Sequence, residues 1–261
     1  MKTAMISIIK KDIRSVTTNR HLFISLLVVP MVLTIVLPSV FIFLIHFAPE
    51  DPDIQKLVEL LPQTAQSENL ELTVAGLILN FILPVFFLMI PIMAASIMAA
   101  SSFVGEKEKH TLETLLYCPL SVRQIFLSKV IASFLLSMMV SLISFCVMLL
   151  VLELESCFLI GSFLLPSTSW LIILLIVSPA ISLIAVTLIV RGSAKAQSVE
   201  ESQQSAVFLV IPVILIVVGQ FTGVLLLNVW ILLGLGAVCV LLAWLLLKRC
   251  MGRFTYEILM K

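Results

Sequence analysis

Residues 105–120 read GEKEKHTLETLLYCPL and separate two long apolar segments of the chain. Five residues within one run of eight carry charge, namely Glu106, Lys107, Glu108, Lys109 and Glu113. Such a segment cannot lie in the hydrocarbon core of a membrane, because charged side chains are costly there. We therefore expect this charged stretch to connect two membrane spans on an aqueous side of the bilayer.

The charged stretch also carries signals for a folded helix and turn. Three leucines recur at helical spacing and form a short apolar stripe, Leu112, Leu115 and Leu116. Pro119 has no backbone N–H group and should end this helix. Ser121 and Gln124 have the spacing of a capping box, which predicts the start of the next helix.

The composition of the chain is that of an integral membrane protein. Of its 261 residues, 61% are hydrophobic and 12% are charged, and the mean hydropathy is +1.21. Ordinary soluble domains have roughly 25% charged residues. The net charge of +1 does not indicate a nucleic-acid partner. The five cysteines show no CxxC spacing, so neither a disulfide framework nor a metal site is predicted.

The apolar segments predict an all-α polytopic membrane protein with six transmembrane helices. The predicted spans are 22–47, 73–104, 130–152, 170–190, 206–223 and 226–247, with an external loop at 48–72. Trp170 is predicted to be an interfacial anchor, and bends are predicted at Pro30, Pro38, Pro84, Pro91 and Pro179. The sequence leaves open whether residues 157–166 and 219–228 re-enter the membrane.

Residues 1–21 are predicted to form an amphipathic interfacial helix. One helical face carries apolar residues, Ile6, Ile9, Ile13 and Val16, and Lys10, Lys11 and Arg14 point away from it. That pattern is typical of a helix lying in the inner headgroup layer.

The positions of the basic residues predict that both termini are cytoplasmic. With six spans and a cytoplasmic N-terminus, fifteen of the sixteen Lys and Arg residues fall inside and only Lys56 falls outside. The acidic residues divide almost evenly between the two sides, so the bias belongs to the basic residues, as the positive-inside rule requires.

Two sets of small residues predict close contacts within the membrane. Ala95 and Ala99 have the small-xxx-small spacing that lets a second helix approach closely, and this helix could belong to a second subunit. Four serines form a stripe on the third span, Ser133, Ser137, Ser141 and Ser144. The stripe is consistent either with a helix contact bridged by hydroxyl groups or with a wall of the cargo path.

The charged stretch resembles a motif of the permease subunits of type-2 ABC exporters, Glu-x-Glu-x-x-Thr-Leu-Glu-x-Leu-Leu-x-x-Pro-x-Ser after the second span. The residues in register are Glu106, Glu108, Thr111, Leu112, Glu113, Leu115, Leu116, Pro119 and Ser121. His110 departs from the pattern, since many members have Gly there. The order of spans and the length of the chain resemble this family throughout.

The resemblance implies a single permease domain, residues 1–261, whose cytoplasmic coupling segment is 105–129. The three leucines would fill a groove on a separate ABC ATPase subunit. Glu106, Glu108 and Glu113 would pair with basic residues at the rim of that groove. Lys107 is also a candidate residue of this contact. Further implied partners are a second permease subunit, identical or related, and membrane lipid. The implied location is the plasma membrane of a prokaryote.

The chain itself has no sequence motif for catalysis. The G-x-x-x-x-G-K-[ST] loop that binds ATP phosphates, the HExxH zinc motif and the G-x-S-x-G elbow are all absent from the sequence. We therefore expect no enzyme activity and no cofactor on this chain, with ATP and Mg²⁺ bound by the partner subunit. The sequence does not distinguish an ion, lipid, sugar polymer, peptide or drug as cargo.

Two other functions remain open at this point. A non-transporting membrane scaffold or immunity protein would also need a cytoplasmic contact segment. An ion-coupled secondary carrier is disfavoured, because such carriers place ionisable groups inside their spans and this sequence predicts none there.

Overall fold

A computed structural model describes residues 2–47, 70–108, 111, 120–193, 196, 198–204, 207–221 and 229–253. These residues form helices and no strand, which confirms the all-α fold class. The helices are α1 (Lys2–Thr18), α2 (Arg20–Phe47), α3 (Glu71–Glu108), α4 (Val122–Leu159), α5 (Thr168–Ser193), α6 (Val199–Gln204), α7 (Val207–Phe221) and α8 (Val229–Arg253).

Six helical stretches in the described part of the chain are long and apolar enough to cross a membrane. They are α2, α3, α4, α5, Val199–Gln220 and Val229–Met251, which confirms the predicted number of spans. Helix α4 starts before the predicted span and continues beyond it. It begins where the sequence predicted, because Ser121 and Gln124 form both hydrogen bonds of the capping box. The external loop, apart from its last residues, lies outside the described residues.

Three of the predicted proline bends coincide with widened turns of the helix. Five-residue π-helical segments at Val32–Val36, Ile78–Ile82 and Ile173–Val177 each end two residues before a proline. The prolines that follow are Pro38, Pro84 and Pro179. Because a proline ring crowds the preceding helical turn and removes one N–H donor, a wider turn is a favourable way to continue the helix.

Helices α3 and α5 form the centre of the bundle, since 67% and 61% of the residues in their most apolar stretches are buried, against a third or less in the other spans. Trp170 lies in this core at 1% exposure, where its Nε1 donates to the Leu79 carbonyl at 3.0 Å. Its ring packs against Phe87 and Phe145. The prediction that Trp170 is an interfacial anchor is therefore wrong, because its N–H group is satisfied inside the bundle.

Helix α1 packs against α4 and the end of α3. Its buried face carries Ile8, Asp12 and Val16, whereas Ile6 is 61% exposed. This face is rotated from the predicted apolar one, because Asp12 makes polar contacts inside the bundle. The structure thus places α1 against neighbouring helices of the same chain.

At the opposite end of the bundle, polar contacts join three spans. His46 of α2 lies 3.4 Å from Glu71 of α3, and the hydroxyl of Ser39 donates to Glu155 of α4. Gly161, at a φ of 73°, then ends α4 in the left-handed conformation that glycine adopts without strain. Residues 160–167 form a non-helical connection to α5, and the described part of the 157–166 segment contains no re-entrant helix.

Candidate functional site

Four charged side chains and one serine meet where α1, α3 and α4 converge. Lys11 and Asp12 come from α1, Ser102 and Glu106 from α3, and Lys129 from α4. Asp12, Ser102, Glu106 and Lys129 are all less than a tenth exposed. We refer to these five residues as the charge cluster.

Lys129 is the centre of the charge cluster. Its Nζ lies 3.0 Å from Glu106 Oε2 and 3.5 Å from Asp12 Oδ2, and it donates to the Ser102 carbonyl at 2.5 Å. The Ser102 hydroxyl donates to Asp12 Oδ2 at 2.6 Å. Each buried charge therefore has an opposite charge within 4 Å, which offsets part of the cost of its desolvation.

Lys11 extends the charge cluster toward solvent. Its ammonium group donates to Glu106 Oε1, and its side chain is 53% exposed. The second oxygen, Oε2, accepts no directed hydrogen bond from the described residues, so its contact with Lys129 is one of charge with charge. Glu106 is thereby held between two lysines from two different helices, with two carboxylates and two ammonium groups in the cluster.

The charged stretch is anchored to α1 on both sides. Where it begins, Glu106 binds Lys11, and the Glu106 carbonyl accepts the Thr111 N–H at 2.9 Å. Where it ends, Leu120 is buried in one apolar cluster with Ile8 and Ile125. A displacement of the charged stretch would therefore act on α1 and α4 together.

A cavity of about 180 Å³ adjoins the charge cluster. Its lining includes Lys11, Asp12, Ser102, Glu106 and Thr111. The described residues include no group of three His, Cys, Asp or Glu side chains that could hold a metal ion. The described site thus consists of paired ionic contacts that join three helices beside this cavity.

The predicted contact residues fall into distinct environments. Glu106 differs from the exposed rim charge that the sequence predicted, because it is 7% exposed and paired within the chain. Lys107 is partly buried, whereas Glu108 and Thr111 are exposed. Ser121 caps α4. The remaining predicted contacts, Leu112, Glu113, Leu115, Leu116 and Pro119, lie outside the described residues.

The small residues of the spans pack within the chain. Ala95 and Ala99 are completely buried and share an apolar cluster with Ala185 and Ile189 of α5, so that face of α3 is covered by the same chain.

The four serines of the α4 stripe, Ser133, Ser137, Ser141 and Ser144, are all buried. The Ser137 and Ser182 hydroxyls lie 2.6 Å apart, which is the α4–α5 contact that the helix-contact interpretation expects.

Asp12 and Lys129 are not among the site residues predicted from the sequence. A usable signal existed for Asp12, which is the only acid in the first 49 residues and lies four positions from both Ile8 and Val16. A lone acid on the buried face of an amphipathic helix needs a cationic or hydroxyl partner. No local pattern identifies that partner as Lys129.

A family model described as ABC-2 family transporter protein matches residues 48–228, more than two thirds of the chain. No curated protein and no solved structure matches the chain. The match includes the charged stretch, the charge-cluster residues of α3 and α4, and four of the six spans. The chain therefore belongs to the ABC-2 family, as a multi-pass membrane permease component of an ABC transporter.

Proposed function

We propose that this permease serves an ATP-driven exporter and that its charged stretch is the contact with a separate ATP-hydrolysing subunit. The observation that carries the proposal is the double anchoring of this stretch, through Glu106 at its start and Leu120 at its end. Glu106 and Leu120 are buried against other helices, so a force on the residues between them is transmitted directly to the helix bundle.

The proposed movement passes through the charge cluster. ATP-driven closure of the ATPase subunits displaces the charged stretch, and Glu106 carries this displacement to Lys129 on α4 and Lys11 on α1. The three helix ends then move as one body. This joint movement favours alternating access, in which the spans exchange an inward-open for an outward-open arrangement. The cargo then leaves the cell or reaches the outer leaflet.

A cytoplasmic position of this end of the bundle is supported by the distribution of Lys and Arg along the sequence. The same distribution supports cytoplasmic termini, and we place the protein in the plasma membrane of a prokaryote. Exposed apolar side chains along α2, α7 and α8 face lipid or a second permease subunit, identical or related.

Within the permease surface that contacts the ATPase, we assign the apolar centre to Leu112, Leu115 and Leu116. We assign the charged rim to residues such as Glu108 and Glu113. Buried apolar anchors supply most of the binding free energy in protein interfaces, and solvent-exposed rim charges supply less. Truncating one of these leucines to alanine should therefore weaken ATPase binding more than removing one rim charge.

The test is a charge reversal within the charged stretch. Glu113→Lys should leave membrane insertion unchanged and weaken co-purification of the ATPase subunit by about tenfold or more, because like charges at an interface are strongly unfavourable. The matched control is Glu200→Lys, which reverses an exposed acid on α6. Normal co-purification and ATP-dependent transport by Glu113→Lys would refute the assignment.

A further inference from the structure

The solvent-facing side of α1 carries a stripe of three cations and three hydroxyl groups. Ser7, Lys10, Lys11, Arg14, Ser15 and Thr18 line an open groove of about 580 Å³ along the helix. Their spacings of three and four residues place them on one helical face. We refer to these six residues as the basic groove.

The basic groove has a net positive charge. The one acid of α1, Asp12, is buried on the other face of the helix and is bound by Ser102 and Lys129. Glu106 reaches Lys11 at the edge of the groove from α3. Lys10 and Arg14 are both exposed on the same side of α1. Three cations with one neighbouring carboxylate favour an anionic ligand.

The position of the groove along the chain places it beside lipid headgroups. Helix α2 begins at Arg20, directly after α1, and has 28 residues. At 1.5 Å per residue it is about 42 Å long, which exceeds the hydrocarbon thickness of roughly 30 Å. Its ends must therefore reach the headgroup layers. Near its start Phe23, Ile24 and Val28 are exposed, as expected for side chains in contact with lipid tails.

We infer that the basic groove binds the phosphate of an anionic phospholipid headgroup. The Lys10 and Arg14 side chains would donate charge-assisted hydrogen bonds to phosphate oxygens, and the hydroxyls of Ser15 and Thr18 line the same groove. The acyl chains would follow the exposed apolar side of α2. Basic residues at a membrane surface attract anionic lipids in this way.

The groove shares one side chain with the charge cluster. Lys11 lines the groove and also binds Glu106, at the start of the charged stretch. A bound headgroup would thus contact the cation that holds this stretch to α1. This consequence rests on the proposed function, whereas lipid binding itself does not.

The experiment uses the purified full-length chain in mild detergent without the ATPase. It is titrated with dioleoylphosphatidylglycerol or dioleoylphosphatidylcholine, and bound lipid is counted by native mass spectrometry. The test variant is Lys10→Gln/Arg14→Gln. The matched control is Lys248→Gln/Arg249→Gln, which removes two exposed cations from α8.

We expect the wild-type chain to bind phosphatidylglycerol more tightly than phosphatidylcholine. The groove variant should lose about 25-fold in affinity for phosphatidylglycerol, about fivefold per cation, and the control variant much less. Equal losses in the two variants, or equal binding of both lipids by the wild type, would overturn the inference. Unchanged phosphatidylglycerol binding by the groove variant would also overturn the inference. If co-purification from membranes that contain both subunits then shows that this variant has lost the ATPase, the groove is a protein contact instead.

The two proposals fail separately. Glu113→Lys should bind phosphatidylglycerol like the wild type, since its substitution lies outside the groove. Failure of the ATPase assignment therefore leaves the lipid result unaffected.

Discussion

Lys129 and Glu106 form a buried ion pair, with the ammonium nitrogen 3.0 Å from the carboxylate and both side chains less than a tenth exposed. The pair joins the start of α4 to the end of α3, on either side of the charged stretch. Breaking a buried pair by removing one partner is costly, because the other charge stays buried without compensation. The charge cluster should therefore be sensitive to single charge changes.

Replacing Lys129 with methionine should destabilise the protein strongly. Lys129→Met leaves Asp12 and Glu106 buried with one cation fewer, so we expect a loss of about 3 kcal/mol in unfolding free energy. The matched control, Arg123→Met, removes an exposed cation from the first turn of the same helix and should change stability by less than about 0.5 kcal/mol. The free energy of unfolding of both variants is measured in the same detergent. Similar stabilities of the two variants would show that the cluster is not formed.

Glu106 and Glu108 should respond differently to the same substitution. Glu106→Gln removes a carboxylate held between two lysines, and we expect a loss of about 2 kcal/mol, moderated because Lys129 keeps its contact with Asp12. Glu108→Gln alters an exposed side chain and should leave stability nearly unchanged. The comparison is made by unfolding of the chain purified without its ATPase. Equal effects would contradict the internal role of Glu106.

The prediction for Trp170 concerns hydrogen bonding and packing in the core rather than charge. Trp170→Phe removes the N–H group that binds the Leu79 carbonyl and also leaves space in the core, so a loss of about 2–3 kcal/mol is expected. Trp230 is 78% exposed, and Trp230→Phe is the matched control with an expected change of less than about 0.5 kcal/mol. The free energy of unfolding of both variants is measured in the same detergent. Equal losses in Trp170→Phe and Trp230→Phe would contradict the burial of Trp170.

Local signals explain what could be predicted from the sequence. The thickness of the bilayer sets the length of an apolar span, so six spans are visible from composition alone. The Ser121 cap was predictable because its partner is three residues away, and Pro38, Pro84 and Pro179 each follow a widened helical turn. Each of these features depends on residues within one turn or one span.

The charge cluster could not be predicted because its pairs are distant in sequence. Lys129 and Asp12 are 117 residues apart, and Lys11 and Glu106 are 95 residues apart. A charged residue near the end of a span is usually solvated, and only the packing of α1 against α3 and α4 makes these residues buried. The prediction for Trp170 was wrong for the same reason, because its contacts are distant in sequence. Its position at the start of a span favours an interface, whereas its burial depends on Leu79 and Phe87.

The close approach of α8 to α5 gives the last prediction. A Cβ atom on Gly236 would lie 2.9 Å from Ile176 Cγ2 and 3.5 Å from Val177 Cγ2, whereas a Cβ atom on Gly234 would meet nothing within 4 Å. Gly236→Val should therefore lower the unfolding free energy by about 2 kcal/mol through overpacking, and Gly234→Val should have little effect.

Shortening the opposing side chain should relieve this overpacking. In the Gly236→Val background, Ile176→Ala removes the atom that would clash, so the double variant should be more stable than Gly236→Val alone. In the wild-type background Ile176→Ala should destabilise, because it removes apolar contacts from a partly buried side chain packed on the core. Thermal unfolding of the four proteins in one detergent gives the coupling free energy. Additive effects would place α8 away from the widened turn of α5, because two side chains that do not touch have no reason to compensate each other.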